Sequence, residues 1–107
     1  MPTSSIASTP DGSTTRVAVV GELDLSQASV LTDAVEAAFR EGAERVVVDL
    51  HDVSFVDSSG LQGLMWVTNG RAAGQELVLA RPSEAMQRLF HQTGLGDRLS
   101  FVEDAAA

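Results

Sequence analysis

Residues Val46 to Leu50 read Val-Val-Val-Asp-Leu, a nearly unbroken apolar run. A strand with one wet face would alternate apolar and polar residues. A continuous run belongs to a strand covered on both faces, as in parallel sheets. Helical spacing flanks it on both sides. Before it, Ala28, Leu31, Ala34, Val35, Ala38 and Phe39 recur at three- and four-residue intervals. After it, Leu61, Leu64, Met65 and Thr68 share one helical face, with Trp66 well off that face. A buried strand between two helices needs parallel neighbours joined by right-handed crossovers. The chain is therefore α/β.

The remaining segments fit that frame. Ser5 to Ser8 reads as a short edge strand, Pro10-Asp11-Gly12-Ser13 as a turn, and Thr14 to Leu23 as a longer strand. Together they predict a hairpin, which makes the sheet mixed. Gly21 marks a bulge or a close backbone approach. Asp24-Leu25-Ser26 offers capping residues for a helix that Gly42 ends. The first buried strand spans Arg45 to Leu50, and His51 to Asp57 reads as a loop. The second helix is expected from Leu61 to Asn69. Glu76 to Ala80 is the next strand, and Pro82-Ser83-Glu84 opens a third helix. That helix turns Met86, Leu89 and Phe90 inward and stops at Gly94. Leu99 to Val102 is expected as a last short strand. Residues 1–107 form a single domain in this reading, with ends near 1–4 and 104–107 expected to fray.

In a sheet of this kind, sites gather at the carboxyl ends of the strands. Three segments fall there: Asp24, then Asp57-Ser58-Ser59, then Arg81-Pro82-Ser83. The middle one places two hydroxyls where a loop becomes a helix. A helix start leaves N–H groups unpaired and carries partial positive charge. Asp57 or Ser58 can serve as the cap, and a hydroxyl left free can be modified.

Composition narrows the chemistry. One hundred and seven residues suffice for a core without staples, and there are no cysteines for disulfides, thiol catalysis or cysteine zinc sites. Net charge is −8, with seven arginines and no lysine. An acidic domain without a basic stripe is unsuited to nucleic acid or anionic membrane. Such a charge either suits a basic partner surface or serves solubility alone. No apolar run approaches the ~20 residues of a membrane span, and no signal peptide opens the chain. A cytoplasmic location is expected.

Enzyme signatures are missing. Ser58 and Ser59 lie in no G-x-S-x-G elbow. His51 and His91 have neither triad nor metal-ligand spacing. No phosphate-binding glycine loop is present. A phospho-aspartate receiver built on Asp49 would, as a family, use a lysine that this chain lacks. A hydroxyl switch remains. Phosphorylating Ser58 would add about −1.5 to −2 charges beside Asp57.

Ser54-Phe55-Val56-Asp57-Ser58-Ser59-Gly60-Leu61 resembles the signature of the bacterial anti-sigma factor antagonists, which are STAS domains. Gly21-Glu22-Leu23-Asp24, Val46-Val47-Val48-Asp49-Leu50 and Leu89-Phe90 with Thr93-Gly94-Leu95 are similar to further family segments, so the resemblance spans nearly the whole chain. It implies a STAS-like mixed sheet with helices packed against it. It also implies a partner-switching protein that is not itself an enzyme. The serine after the aspartate, here Ser58, would be phosphorylated by an anti-sigma factor that is an ATP-dependent serine kinase. The unmodified form would bind that kinase and free the sigma factor. A metal-dependent serine phosphatase would reset the switch. ATP and metal would belong to the partners, and this chain would carry no cofactor.

By the same resemblance Asp57 would sit in the kinase-facing loop, with Asp24 close by. Ser59 and Gly60 would shape the helix start, and the missing side chain of Gly60 would leave room for a partner. Trp66, the only tryptophan, either packs under a neighbouring element or serves as an interface anchor. The alternative function is a STAS subunit of a stressosome or lipid-transport assembly, which would not switch on Ser58.

Overall fold

The computed structural model of the chain describes residues 4–94 and, for the backbone alone, 101–102. Among these residues the strands are β1 (Ser5–Asp11), β2 (Thr14–Leu23), β3 (Arg45–Val56), β4 (Glu76–Ala80) and β5 (Phe101–Val102). The helices are α1 (Leu25–Arg40), α2 (Ser58–Asn69) and α3 (Glu84–Thr93). The five strands form one sheet in the order β1-β2-β3-β4-β5. β1 and β2 pair antiparallel, and every later pair is parallel. The mixed α/β sheet with an N-terminal hairpin is thus as expected.

The hairpin is tighter than the sequence suggests. Pairing runs to Asp11 and Thr14, so only Gly12 and Ser13 turn, with Gly12 at φ 64. Pro10, expected in the turn, lies in β1, an edge strand where a missing N–H is tolerated.

One face of the sheet carries the core. Val17, Val19 and Leu23 of β2, Val46, Val48 and Leu50 of β3, and Leu79 of β4 meet Leu31, Val35, Ala38 and Phe39 of α1. Leu61, Leu64 and Val67 of α2 and Met86 and Phe90 of α3 complete the cluster. Val47 and Ala80 pack with Val78 on the opposite face. All five residues from Val46 to Leu50 are buried, as the unbroken run required. The inward row of α2 is centred on Leu61, Leu64 and Val67, while Met65 and Thr68 are only half-buried. The Thr68 hydroxyl turns back onto the Leu64 carbonyl at 3.1 Å.

The expected loop from His51 to Asp57 is not a loop. β3 continues to Val56, pairing with β2 out to Leu23↔Val56. His51, Asp52 and Ser54 break the apolar run and so read as a loop, yet the ten-residue β2 supplies backbone partners that side-chain polarity does not reveal. Two register shifts accommodate the extension, between Ala18 and Val20 and between Gly21 and Glu22. Gly21 sits beside them at φ 90, and the extra residues are on β3 rather than on β2. Of the expected last strand, Phe101 and Val102 pair with Leu79 and Ala80. Leu99 and Ser100, and the ends at 1–3 and 103–107, lie outside the described residues.

Candidate functional site

Two helix starts lie side by side at the carboxyl edge of the sheet. The parallel pair β2–β3 ends in register at Leu23 and Val56. The chain therefore leaves the sheet at Asp24 and Asp57 next to each other. The Asp57 N–H also reaches the Leu23 carbonyl at 3.4 Å. Both aspartates have extended backbone and cap the helix that follows. Asp24 Oδ1 accepts from the Gln27 N–H at 3.0 Å, and Asp57 Oδ1 accepts from the Gly60 N–H at 2.9 Å. Each carboxylate thus satisfies one donor that a helix start leaves open.

This geometry decides between the two candidate caps at the switch stretch. Asp57 takes the cap, and Ser58 is the first helical residue, three positions earlier than the apolar spacing alone predicted. Ser58 is exposed, and Ser59 is half-buried. The hydroxyl of Ser58 is therefore free of capping duty and open to solvent at the positive end of α2.

Gly60 corrects one expectation. Its missing side chain faces inward, not toward a partner. A Cβ there would fall 2.0 Å from the Leu23 carbonyl oxygen and 2.8 Å from its carbon. The space is used by the chain itself, to bring the start of α2 against the end of β2. Gly63, one turn on, does the same against α1, where a Cβ would come within 2.7 Å of the Ala28 Cβ.

The third candidate segment does not join the other two. β4 ends level with the middle of β3, in register Ala80↔Asp49. The seven further residues of β3 rise about 23 Å beyond that level, at roughly 3.3 Å per residue, before Asp57 and Ser58 follow. Ser83 instead caps α3, accepting from the Met86 N–H at 3.3 Å.

Asp49 is likewise mid-strand rather than near a strand end. It is 2 % exposed and paired with Arg16 and His51. Burial pulls its pKa up, but hydrogen bonds from the His51 ring and N–H and the Arg16 charge outweigh that and hold it below the usual carboxylate value. His51 lies between carboxylates, with Nδ1 2.9 Å from Asp49 and Nε2 3.2 Å from Asp52. The imidazole is committed to them and not to Ser58.

Several large apolar side chains reach solvent. Trp66 is 71 % exposed, so it does not pack beneath a loop or under α3. Leu25, directly after the Asp24 cap, is 69 % exposed, and Phe55, beyond the reach of β4, is 53 % exposed. Sequence reading gave the last two no role. Leu25 follows a cap and could face either way. Phe55 lies in the stretch read as loop, where no face can be assigned.

A family model described as "Mlab, STAS domain" matches residues 6–103. The anti-sigma-B factor antagonist of Staphylococcus aureus is 33% identical over 90 residues, which span 81% of this chain and 82% of the relative. The chain belongs to the STAS-domain anti-sigma factor antagonist family. Among solved structures, an anti-sigma factor antagonist from Mycobacterium paratuberculosis superposes with a TM-score of 0.79 at 24% identity, covering 95% of this chain and 87% of that one. The anti-sigma factor antagonist SpoIIAA in its unphosphorylated form gives a TM-score of 0.70 at 22% identity, covering 94% and 90%. Its phosphorylated form from Bacillus gives 0.65 at 21%, covering 95% and 93%. These structures share the fold.

Proposed function

We propose that this chain is an anti-sigma factor antagonist whose unphosphorylated form binds an anti-sigma factor serine kinase and so releases the sigma factor. Phosphorylation of Ser58 closes the interface. The observation that carries this reading is the division of labour at the start of α2: Asp57 holds the cap, and Ser58 presents a solvent-exposed hydroxyl. Names of relatives over four-fifths of the chain point the same way.

The chemistry is a phosphoryl transfer carried out by the partner. Ser58 Oγ attacks the γ-phosphorus of ATP bound to the kinase, the bond to the β-phosphate oxygen breaks, and ADP leaves. The hydroxyl proton passes to a base on the kinase. ATP and metal belong to that kinase and to the metal-dependent serine phosphatase that reverses the step. This chain brings no cofactor and is not the enzyme. It works in the cytoplasm, and no described helix is long and apolar enough to cross a membrane.

The consequences are asymmetric. A phosphate at the first helical position meets the open N–H groups and positive end of α2, worth about 0.3–1 kcal/mol, so the fold tolerates it. The partner meets a dianion where a hydroxyl had been. To be phosphorylated, Ser58 must face the kinase's nucleotide, so the new phosphate lies against the phosphates of ADP and is repelled.

The test is intact mass after incubation with ATP and each anti-sigma kinase of the same organism, followed by peptide mapping. One phosphate on Ser58, with loss of the complex, is expected. Phosphate that persists in Ser58→Ala would show the wrong site. Stable complexes without phosphate would favour the non-switching assembly subunit.

A further inference from the structure

α1 and α2 pack closely because Gly63 lies against Ala28, and their outer faces leave an open groove of about 340 Å³. Leu25 and Asp33 on α1 and Ser59, Gln62 and Trp66 on α2 line it. From Leu25 to Asp33 it runs about 12 Å at 1.5 Å per helical residue, some two turns of helix. A second hollow of about 380 Å³ lies beyond Trp66, between Met65, Asn69 and Gly70. The indole is thus a ridge between two depressions, the α1–α2 groove of mixed polarity and a more apolar hollow beside Met65.

Charge says what fits. The only charged residue lining the groove is Asp33. Ser59 borders the groove at the start of α2, where Asp57 is the cap, and Leu25 borders it where Asp24 is the cap. The chain as a whole carries −8. Two exposed apolar anchors, a shallow two-turn track and one sign of charge match an amphipathic helix with apolar side chains on its inner face and arginine or lysine along its edge.

We infer that a basic amphipathic helix of the anti-sigma kinase docks in the α1–α2 groove astride Trp66, which places Ser58 at the kinase's nucleotide. This rests on the proposed function and adds the surface, the partner element and the anchor. Trp66 is a binding residue, separate from the modified one. Buried aromatic anchors of this type dominate interface energy when their surroundings exclude water. Asp33 contributes long-range attraction, so its effect falls with salt.

Because Trp66 is the only tryptophan, 5-fluorotryptophan labelling gives this chain a single ¹⁹F resonance. The labelled chain is titrated with each anti-sigma kinase of the same organism, unlabelled and loaded with a non-hydrolysable ATP analogue. Complex formation is followed in parallel by size-exclusion chromatography. The expected result is a shifted resonance on binding, at least ~30-fold weaker affinity for Trp66→Ala, and several-fold weaker, less salt-sensitive binding for Asp33→Arg. Both sites are exposed, and circular dichroism confirms that the variants fold. A complex that forms while the resonance stays in place and Trp66→Ala binds equally well would overturn the groove and leave the Ser58 switch standing. No complex with any of the kinases would overturn both.

Discussion

Gly60→Ala adds one methyl group at the third position of α2, and the structure says where it must go. The new Cβ falls 2.0 Å from the Leu23 carbonyl oxygen, 2.8 Å from its carbon and 3.0 Å from the Leu23 Cγ. Ordinary contact begins near 3.4 Å, so α2 must retreat from β2 by more than an ångström. The obstacle is backbone held in the sheet and cannot rotate away. Overpacking of this kind costs about 1–3 kcal/mol. The retreat also stretches the Asp57 N–H bond to the Leu23 carbonyl, worth about 1 kcal/mol. Against this, alanine is the better helix former by about 1 kcal/mol. The net is a loss of about 2 kcal/mol, or roughly 8 °C in Tm for a domain near 100 residues. Gly63→Ala brings its Cβ within 2.7 Å of the Ala28 Cβ, which is fixed to the α1 backbone and cannot rotate away, but the overlap is shallower than the 2.0 Å at Gly60, so its loss is smaller. Urea unfolding and calorimetry on the three proteins measure both. A Gly60→Ala chain as stable as the parent, or more so, would refute the claim that Gly60 sets the contact between α2 and β2.

Asp57→Ala removes the carboxylate that accepts the Gly60 N–H at 2.9 Å, and is expected to cost about 1 kcal/mol in urea unfolding, with Asp57→Asn retaining most of it. Asp49 has a folded pKa below its ordinary 3.8, so its contribution to stability is fully present above that value and is lost as pH falls through the lower folded pKa. Acid unfolding of Asp49→Asn is therefore expected to lose that part of its dependence below about pH 4, and an unchanged profile would contradict it. Ser58→Asp should keep the parent fold by circular dichroism and Tm, because the new carboxylate sits at the positive end of α2. It should weaken kinase binding at least tenfold in calorimetric titration.

The α/β class and helix positions were legible because burial leaves periodicity in the sequence. Val46 to Leu50 could only be a strand covered on both faces, and Ala28, Leu31, Val35, Ala38 and Phe39 do form the buried row of α1. Gly94 ends α3 in the left-handed conformation at φ 70, as expected of a terminal glycine. Legibility failed where a partner strand, rather than side-chain pattern, decides the backbone. His51 to Val56 is polar enough to read as a loop, yet it pairs with β2. That error hid two facts about the site. It placed Arg81-Pro82-Ser83 level with Ser58, and it left Phe55 without a face. The role of Gly60 was also out of reach, since only the crossing of α2 over Leu23 shows which way its missing side chain points. The capping aspartates were visible as residue types, and the choice between Asp57 and Ser58 needed the hydrogen bond to Gly60.

The central claim is that one phosphate on Ser58 closes an interface without disturbing the fold. The most direct measurement is calorimetric titration of the anti-sigma kinase with the same chain before and after stoichiometric phosphorylation, with Tm recorded on both forms. Tm is expected to stay within a few degrees, given a local effect of about 0.3–1 kcal/mol, while affinity falls at least ~100-fold. Equal affinity in the two forms would contradict the switch. Weaker affinity accompanied by loss of the folded state would contradict the mechanism.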